Sequence, residues 1–271
     1  MKTKILATAT FAALATLAAL GSASAADLPM PAPVYKAPPP PPVYNWTGCY
    51  VAGGGGYGMW TQDSFVTVGG TPISASQTNG GKGWFGMGQA GCDYEFTLPL
   101  FSGWSPRLVI GAFGDWDGGR LRGTSSFPGA VGQENNSSAW FAGGRVGYVV
   151  TPHFLTYTDG GWTQARFDGV NYNFAIAGGG PTGLSLAAQT YNGWFVGSGF
   201  EYSFDWLPIP GIFLKTEYRY SQYNSPNGAS VPLTGGVLGV PVVGAALQSQ
   251  KATQMISTEL VWRFNWFGGH Y

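Results

Sequence analysis

The sequence predicts an all-β chain, an eight-stranded antiparallel transmembrane β-barrel with short periplasmic turns and four long extracellular loops. Three observations predict it. Long segments alternate strictly in character from one residue to the next, as side chains do on the two faces of a strand. Charged residues make up only 10% of the 271 positions, against roughly a quarter in soluble domains. Aromatics reach 15%, and no apolar run beyond the first 25 residues is long enough for a membrane helix, so a crossing has to be made by a closed barrel.

The parity of the connections points the same way. They are long after strands one, three, five and seven and short after two, four and six, as in bacterial outer-membrane barrels, whose two rims face different surroundings. A soluble sandwich has no reason to sort its loops in this way.

Lys2 and Lys4, the apolar stretch Ile5–Leu20 and the small residues Ala23-Ser24-Ala25 have the form of a secretory signal peptide over residues 1–25. Export to the Gram-negative outer membrane is the expectation. Residues 26–44 are rich in proline, which cannot pair in a sheet, and read as a semi-rigid periplasmic tether. Residues 45–271 are assigned to the barrel.

Strand one, Thr47–Thr61, turns Cys49, Val51 and Tyr57 outward and Tyr50 and Ala52 inward. Its inward glycines, Gly54, Gly56 and Gly58, leave room for large side chains from neighbouring strands. Ser64–Lys82 reads as a loop. Strand two, Gly83–Leu98, points Trp84, Cys92, Tyr94 and Phe96 outward and Gln89, Asp93 and Glu95 inward. Strand three, Arg107–Gly118, carries Asp115 and Asp117 inside. Gly119–Ser138 reads as a second loop. Strand four, Ala139–Val150, has Trp140 and Tyr148 outside and Arg145 inside.

Strand five, His153–Arg166, is the least regular, and a bulge is expected near Asp159-Gly160-Gly161. After a third loop, Phe167–Asn192, strands six and seven form the hairpin Gly193–Tyr223. Its inward face brings Glu201, Lys215, Glu217 and Arg219; its outward face is Trp194, Val196, Phe200, Tyr202, Leu214, Tyr218 and Tyr220. A fourth loop covers Gln222–Gln250. Strand eight, Lys251–Trp266, places Glu259 and Arg263 inside and Ile256, Leu260 and Trp262 outside.

Asp27-Leu28-Pro29, Trp46-Thr47-Gly48, Arg145-Val146-Gly147-Tyr148 and the hairpin elements Gly193-Trp194, Glu201-Tyr202 and Lys215-Thr216-Glu217-Tyr218 resemble the alpha-proteobacterial outer-membrane immunogenic protein family. The resemblance implies a small surface barrel of the rhizobial and Brucella type. Cys49 stands where that family usually has an aromatic. The chain also runs on past Phe264, which leaves Phe264, Trp266 and Tyr271 as alternative insertion signals.

The inward charges are the candidate site. Asp93, Glu95, Asp115, Arg145, Glu201, Lys215, Glu217, Arg219, Glu259 and Arg263 form an expected lumenal ion-pair network, because charges inside a narrow barrel need partners. Such a network reads either as internal filling or as the lining of a narrow conductance path. Cys49 and Cys92 face outward on adjacent strands and are candidates for a disulfide, if the register brings them opposite each other. His153 and His270 lack a neighbouring Ser/Asp or Cys/His arrangement, so no catalytic or metal site and no cofactor is expected.

The net charge is zero and no basic block occurs, which excludes nucleic acid as a partner. The expected partners are outer-membrane lipid and lipopolysaccharide and the barrel insertion machinery. The uncharged segment 231–247 reads either as a surface contact site or as a strand extension. A non-enzymatic surface barrel and a narrow porin-like channel remain as the two functional readings.

Overall fold

The computed structural model describes residues 45–99, 105–204, 211–224, 231–237, 240–241 and 244–264. The expected signal peptide, the proline tether, the turn tips and the tail carrying Trp266, His270 and Tyr271 lie outside these residues.

All regular structure among the described residues is strand. In chain order the strands are β1 (Gly48–Val68), β2 (Thr71–Pro72), β3 (Gln77–Thr97), β4 (Arg107–Phe127), β5 (Ala130–Thr151), β6 (Phe154–Phe167), β7 (Val170–Phe174), β8 (Pro181–Leu186), β9 (Gln189–Ser203), β10 (Ile212–Tyr223), β11 (Val231–Val237), β12 (Val240–Pro241) and β13 (Ala245–Phe264).

Eight of them close a ring. β1 pairs with β3, then β4, β5, β6, β9, β10 and β13 follow, each antiparallel to the last. The first and last strands seal it in continuous register from Cys49↔Phe264 to Val68↔Ala245. The expected eight-stranded barrel is therefore present, with no open edge in the ring.

The sequence alternation decides the faces. Trp84 is 75% exposed, and Val146, Leu260, Trp140, Ile256 and Trp262 also lie bare on the outside. Glu201, Lys215, Glu217 and Glu259 are buried on the inside. A water-soluble barrel would show the reverse arrangement. Aromatic pairs ring the exterior at two heights. Tyr57 and Trp84 (5.0 Å between ring centroids), Trp116 and Trp140 (6.3 Å) and Trp194 and Tyr220 (5.9 Å) mark the outer rim. Tyr94 with Phe96, Phe154 with Phe200 and Trp262 with Phe264 mark the periplasmic one. Interfacial aromatic girdles of this kind bound the lipid band of a membrane barrel.

The inward glycines do what strand one suggests. A Cβ on Gly91 would come within 2.6 Å of the Tyr50 hydroxyl oxygen, and one on Gly199 within 2.5 Å of the Tyr157 hydroxyl oxygen. Each glycine makes space for a tyrosine that touches the charges described below.

The long connections differ from expectation. Most of their residues are paired strand. β1 and β3 run on until Ser64 opposes Gln77, and β4 and β5 continue to Phe127↔Ala130 around Pro128-Gly129, where Gly129 takes φ +88°. β1, β3, β4 and β5 are 21 or 22 residues long, about twice the 9–11 residues a tilted strand needs to cross a bilayer. Above the membrane β6, β9 and β10 stop. Their places are taken by β7, which pairs with β5, then β8 and β11, with β11 returning to β13. The third and fourth loops thus complete a second eight-stranded ring stacked on the first. Its interior is the apolar cluster Val66, Ala130, Val170, Tyr172, Leu184, Leu186, Ala245 and Leu247.

The expected bulge at Asp159-Gly160-Gly161 is absent. Arg145↔Asp159, Gly144↔Gly160 and Gly143↔Gly161 pair without a slip, and the irregularities of β5–β6 lie at Asn136/Ser138 and Val149/Thr151. Two adjacent glycines hide the strand's phase in the sequence while leaving its backbone regular.

Candidate functional site: a closed, charged lumen

Alternation along β3, β5, β9 and β13 sends Asp93, Arg145, Glu201 and Arg263 to one level of the interior. There they form a square of alternating sign. Arg145 donates through Nε to Asp93 Oδ1 (2.8 Å) and through Nη1 to Glu201 Oε1 (2.5 Å). Arg263 donates through Nη1 to Asp93 Oδ2 (2.6 Å) and through Nη2 to Glu201 Oε2 (2.7 Å). Tyr50 lies between the two guanidiniums, whose central carbons are 4.8 and 5.0 Å from its ring centre.

The next level begins with Lys215, whose Nζ lies 3.0 Å from Glu217, 3.3 Å from Glu259 and 2.7 Å from the Gln89 side-chain oxygen. Tyr157 donates its hydroxyl to Glu217 (2.8 Å), and Ser257 donates to Glu259 (3.1 Å). Arg219 follows, 2.5 Å from Glu217 and 3.0 Å from Asp115, within reach of the rings of Phe141 (4.3 Å), Phe195 (5.0 Å) and Phe113 (5.8 Å). Gln89 donates to Asp115 (3.2 Å) and accepts from the Tyr50 hydroxyl (3.2 Å), so it ties the levels together.

Nine of the ten expected residues meet in these two levels. Glu95 does not join them. It sits at the periplasmic mouth, accepting from the Trp46 amide (2.9 Å) and from Arg107 (2.5 Å). Asp117 and Asp159 are further buried carboxylates of the interior, and Asp159 approaches Arg219 at 3.9 Å. Asp159 escapes a sequence reading because Gly160-Gly161 blurs its strand.

A third charged level lies above the outer aromatic rim. Lys251 pairs with Glu134 (2.5 Å) and donates to Gln62, with the rings of Phe167 (4.1 Å), Tyr191 (5.1 Å) and Trp60 (5.2 Å) around its ammonium group. Burial holds the Lys251 ammonium below its ordinary pKa, and Glu134 opposes that shift. None of these three polar residues stands out in the sequence, since Gln62 and Glu134 sit in or beside segments that read as loop. Above them, in the apolar ring, Tyr172 shares a 3.0 Å hydrogen bond with Ser125, and burial pushes its phenol up to about 12.

Cys49 lies directly opposite Cys92 on the outward face and is joined to it by a disulfide. His153 departs from the sequence reading, because folding brings Ser203 to its Nδ1 (3.1 Å). The Ser203 amide also donates to the His153 carbonyl (3.0 Å), so the pair fastens the Thr151–Phe154 turn to the end of β9. Among the described residues no group of three or more His, Cys, Asp or Glu is placed to hold a metal ion.

An antiparallel ring without edges, bare and aromatic outside and charged inside, defines a transmembrane β-barrel of the outer-membrane type. Its place is the outer membrane. No protein-family model and no curated protein matches the chain. Among solved structures it is similar to Neisserial surface protein A (13% identity, TM-score 0.38, covering 80% of this chain and 98% of that one). It is also similar to the outer membrane protein AlkL in DMPC lipid bilayers (12%, TM-score 0.38, 86% and 98%). A third is the outer membrane protease OmpT from Escherichia coli (11%, TM-score 0.35, 80% and 97%). At those values the likeness carries no weight for activity, and the barrel assignment rests on the closing pair β1–β13.

Proposed function

We propose that the chain is a non-enzymatic surface barrel that contributes to envelope integrity and carries loop-mediated contacts. One observation supports this most: buried side chains of the described residues line the interior in successive layers. The square of Asp93, Arg145, Glu201 and Arg263, the Lys215 and Arg219 level, the Lys251–Glu134 level and the apolar upper ring follow one another along the axis. Buried charges paired in this way support internal filling, since opening a water path between them would require breaking several pairs at once. This holds even though both oxygens of the buried Asp159 lack a hydrogen-bond partner among the described residues.

The motifs around Trp46-Thr47-Gly48, Arg145-Val146-Gly147-Tyr148 and Lys215-Thr216-Glu217-Tyr218 support placing the chain with the alpha-proteobacterial outer-membrane immunogenic proteins. Outer-membrane lipid, lipopolysaccharide and the insertion machinery are its proposed partners. A protein contact through the uncharged segment 231–247 is proposed as well, from the part of the second ring where β11 pairs with β8 and β13.

Planar-bilayer recording tests the reading. Purified protein that shows heat-modifiable gel mobility is expected to insert without discrete conductance steps. Reproducible unitary steps that vanish in Glu201→Ala would establish the channel instead.

A further inference from the structure

The chain has thirteen lysines and arginines, of which Lys2, Lys4 and Lys36 lie outside the described residues. Arg107, Arg145, Lys215, Arg219, Lys251 and Arg263 each pair with a carboxylate. Among the described residues no ion pair involves the remaining four, Lys82, Arg120, Arg122 and Arg166. All four are exposed, and all belong to one flank, β3 to β6.

Their height is specific. Lys82 lies two residues beyond Trp84 on the same outward face of β3, about 7 Å along the strand. Arg122 stands directly opposite Lys82 across the β3–β4 pair. Like charges facing each other across a ladder cost stability unless something neutralises them. Arg166 on β6 lies above Trp162 and opposes Ser138. Arg120 and Arg122 share with Gln133, Glu134, Asn135 and Asp168 a surface hollow of about 430 Å³, in which Asp168 accepts a hydrogen bond from Asn135 (2.8 Å) and Glu134 is engaged by Lys251. At the corresponding height the outer face of the opposite flank carries no cation among the described residues: it shows neutral Asn192, Gln222 and Gln250 and, on β1 and paired with Gln250, the exposed carboxylate Asp63.

Below this row the outer wall is hollowed. Gly88, Ala90 and Gly114 belong to a depression of about 720 Å³ also lined by Trp116, Trp140 and Trp162. The flank therefore offers cations two to six residues beyond the girdle tryptophans of their own strands, and at the girdle a recess lined by Trp116, Trp140 and Trp162, with Gln89, Asp115 and Gln164 also on its wall.

We infer that this flank is a binding site for a phosphorylated lipid of the outer leaflet. The inference rests on the outer-membrane reading above and gives its lipid partner an address. Lys82, Arg120, Arg122 and Arg166 take the headgroup phosphates through charge-assisted hydrogen bonds. The recess between the tryptophans receives an acyl chain.

Native mass spectrometry of the full barrel in detergent tests it, with bis-phosphorylated lipid A, dephosphorylated lipid A and inorganic phosphate as probes. The parent protein is expected to retain the bis-phosphorylated lipid. The variant K82Q/R120Q/R122Q/R166Q is expected to bind it about tenfold or more weakly, and R120Q/R122Q to fall between, as removal of charge-assisted contacts predicts. Equal retention by parent and quadruple variant overturns the site. Equal retention of phosphorylated and dephosphorylated lipid overturns the role of phosphate, and displacement by millimolar inorganic phosphate alone points to a free anion rather than a lipid. Heat-modifiable mobility is read on the same samples. Its absence would defeat the barrel reading itself, whereas a folded barrel with no phosphate preference defeats only this inference.

Discussion

Arg145 on β5 and Glu201 on β9 are 56 residues apart in sequence and bonded at 2.5 Å past the intervening strand β6. Arg263 holds the other oxygen of Glu201, so one carboxylate is shared by two buried guanidiniums. Replacing it by an isosteric neutral group leaves both cations short of a counter-charge. Glu201→Gln is expected to cost about 3–5 kcal/mol, the scale for breaking a buried pair. The check is the urea midpoint of unfolding from lipid vesicles; an unchanged midpoint would show that the square carries no stability.

Lys251 and Glu134 support a sharper experiment, because here the pair is isolated from the lower levels. Lys251→Met is expected to cost about 3–5 kcal/mol by stranding Glu134 among aromatic rings. Adding Glu134→Gln should restore most of the loss, since the methionine fits the ring-lined space and no charge is left over. If the double variant is as unstable as the single one, the lysine acts through packing and not through its charge. Neither variant is expected to conduct, because the square below and the apolar ring above remain closed.

The barrel is legible in the sequence wherever one face meets lipid. Trp194, Val196, Phe200 and Tyr202 alternate with Phe195, Gly197, Gly199 and Glu201, and that contrast fixes both the strand and its inward face. Above the membrane the contrast disappears. Thr61, Gln62, Asp63 and Ser64 continue β1 with polar residues on both faces, so nothing in their order separates strand from loop, and backbone pairing alone makes them sheet. The same reason conceals Gln62 and Glu134. Connectivity within the charged interior is hidden differently. The inward sign of each residue can be read from alternation, but the bonding of Arg145 to Glu201 depends on ring closure and on the stagger of three strands, which no local pattern encodes.

The disulfide joins positions 43 residues apart across the first hairpin. By the chain-entropy relation a loop of that length is worth up to about 4 kcal/mol in the unfolded state. The Cys49→Ala/Cys92→Ala variant is expected to fold, because β1–β3 pairing continues on both sides of the bridge, and to unfold at lower urea by an amount below that ceiling. Reductant should lower the parent's midpoint toward that of the variant and leave the variant unaffected. A reductant effect of equal size on both proteins would remove the disulfide as its cause.

Tyr172 makes the upper ring sensitive to alkali. Its phenol is held at about 12 by burial, above the ordinary value of 10.0, so the folded ring retains a proton that the opened ring releases earlier. A raised folded value stabilises fully below the unfolded value and is lost as pH climbs through the folded one, which sets the window between about 10 and about 12. Amide exchange in β7 and β8, corrected for the intrinsic rise with pH, is therefore expected to accelerate across that window while β9 and β10 stay protected. Tyr172→Phe keeps the ring's apolar contacts, gives up the Ser125 hydrogen bond, and should flatten the alkaline step. An identical step in the variant would assign the effect to another group, and exchange rising equally in β9 and β10 would mean that the two rings open together.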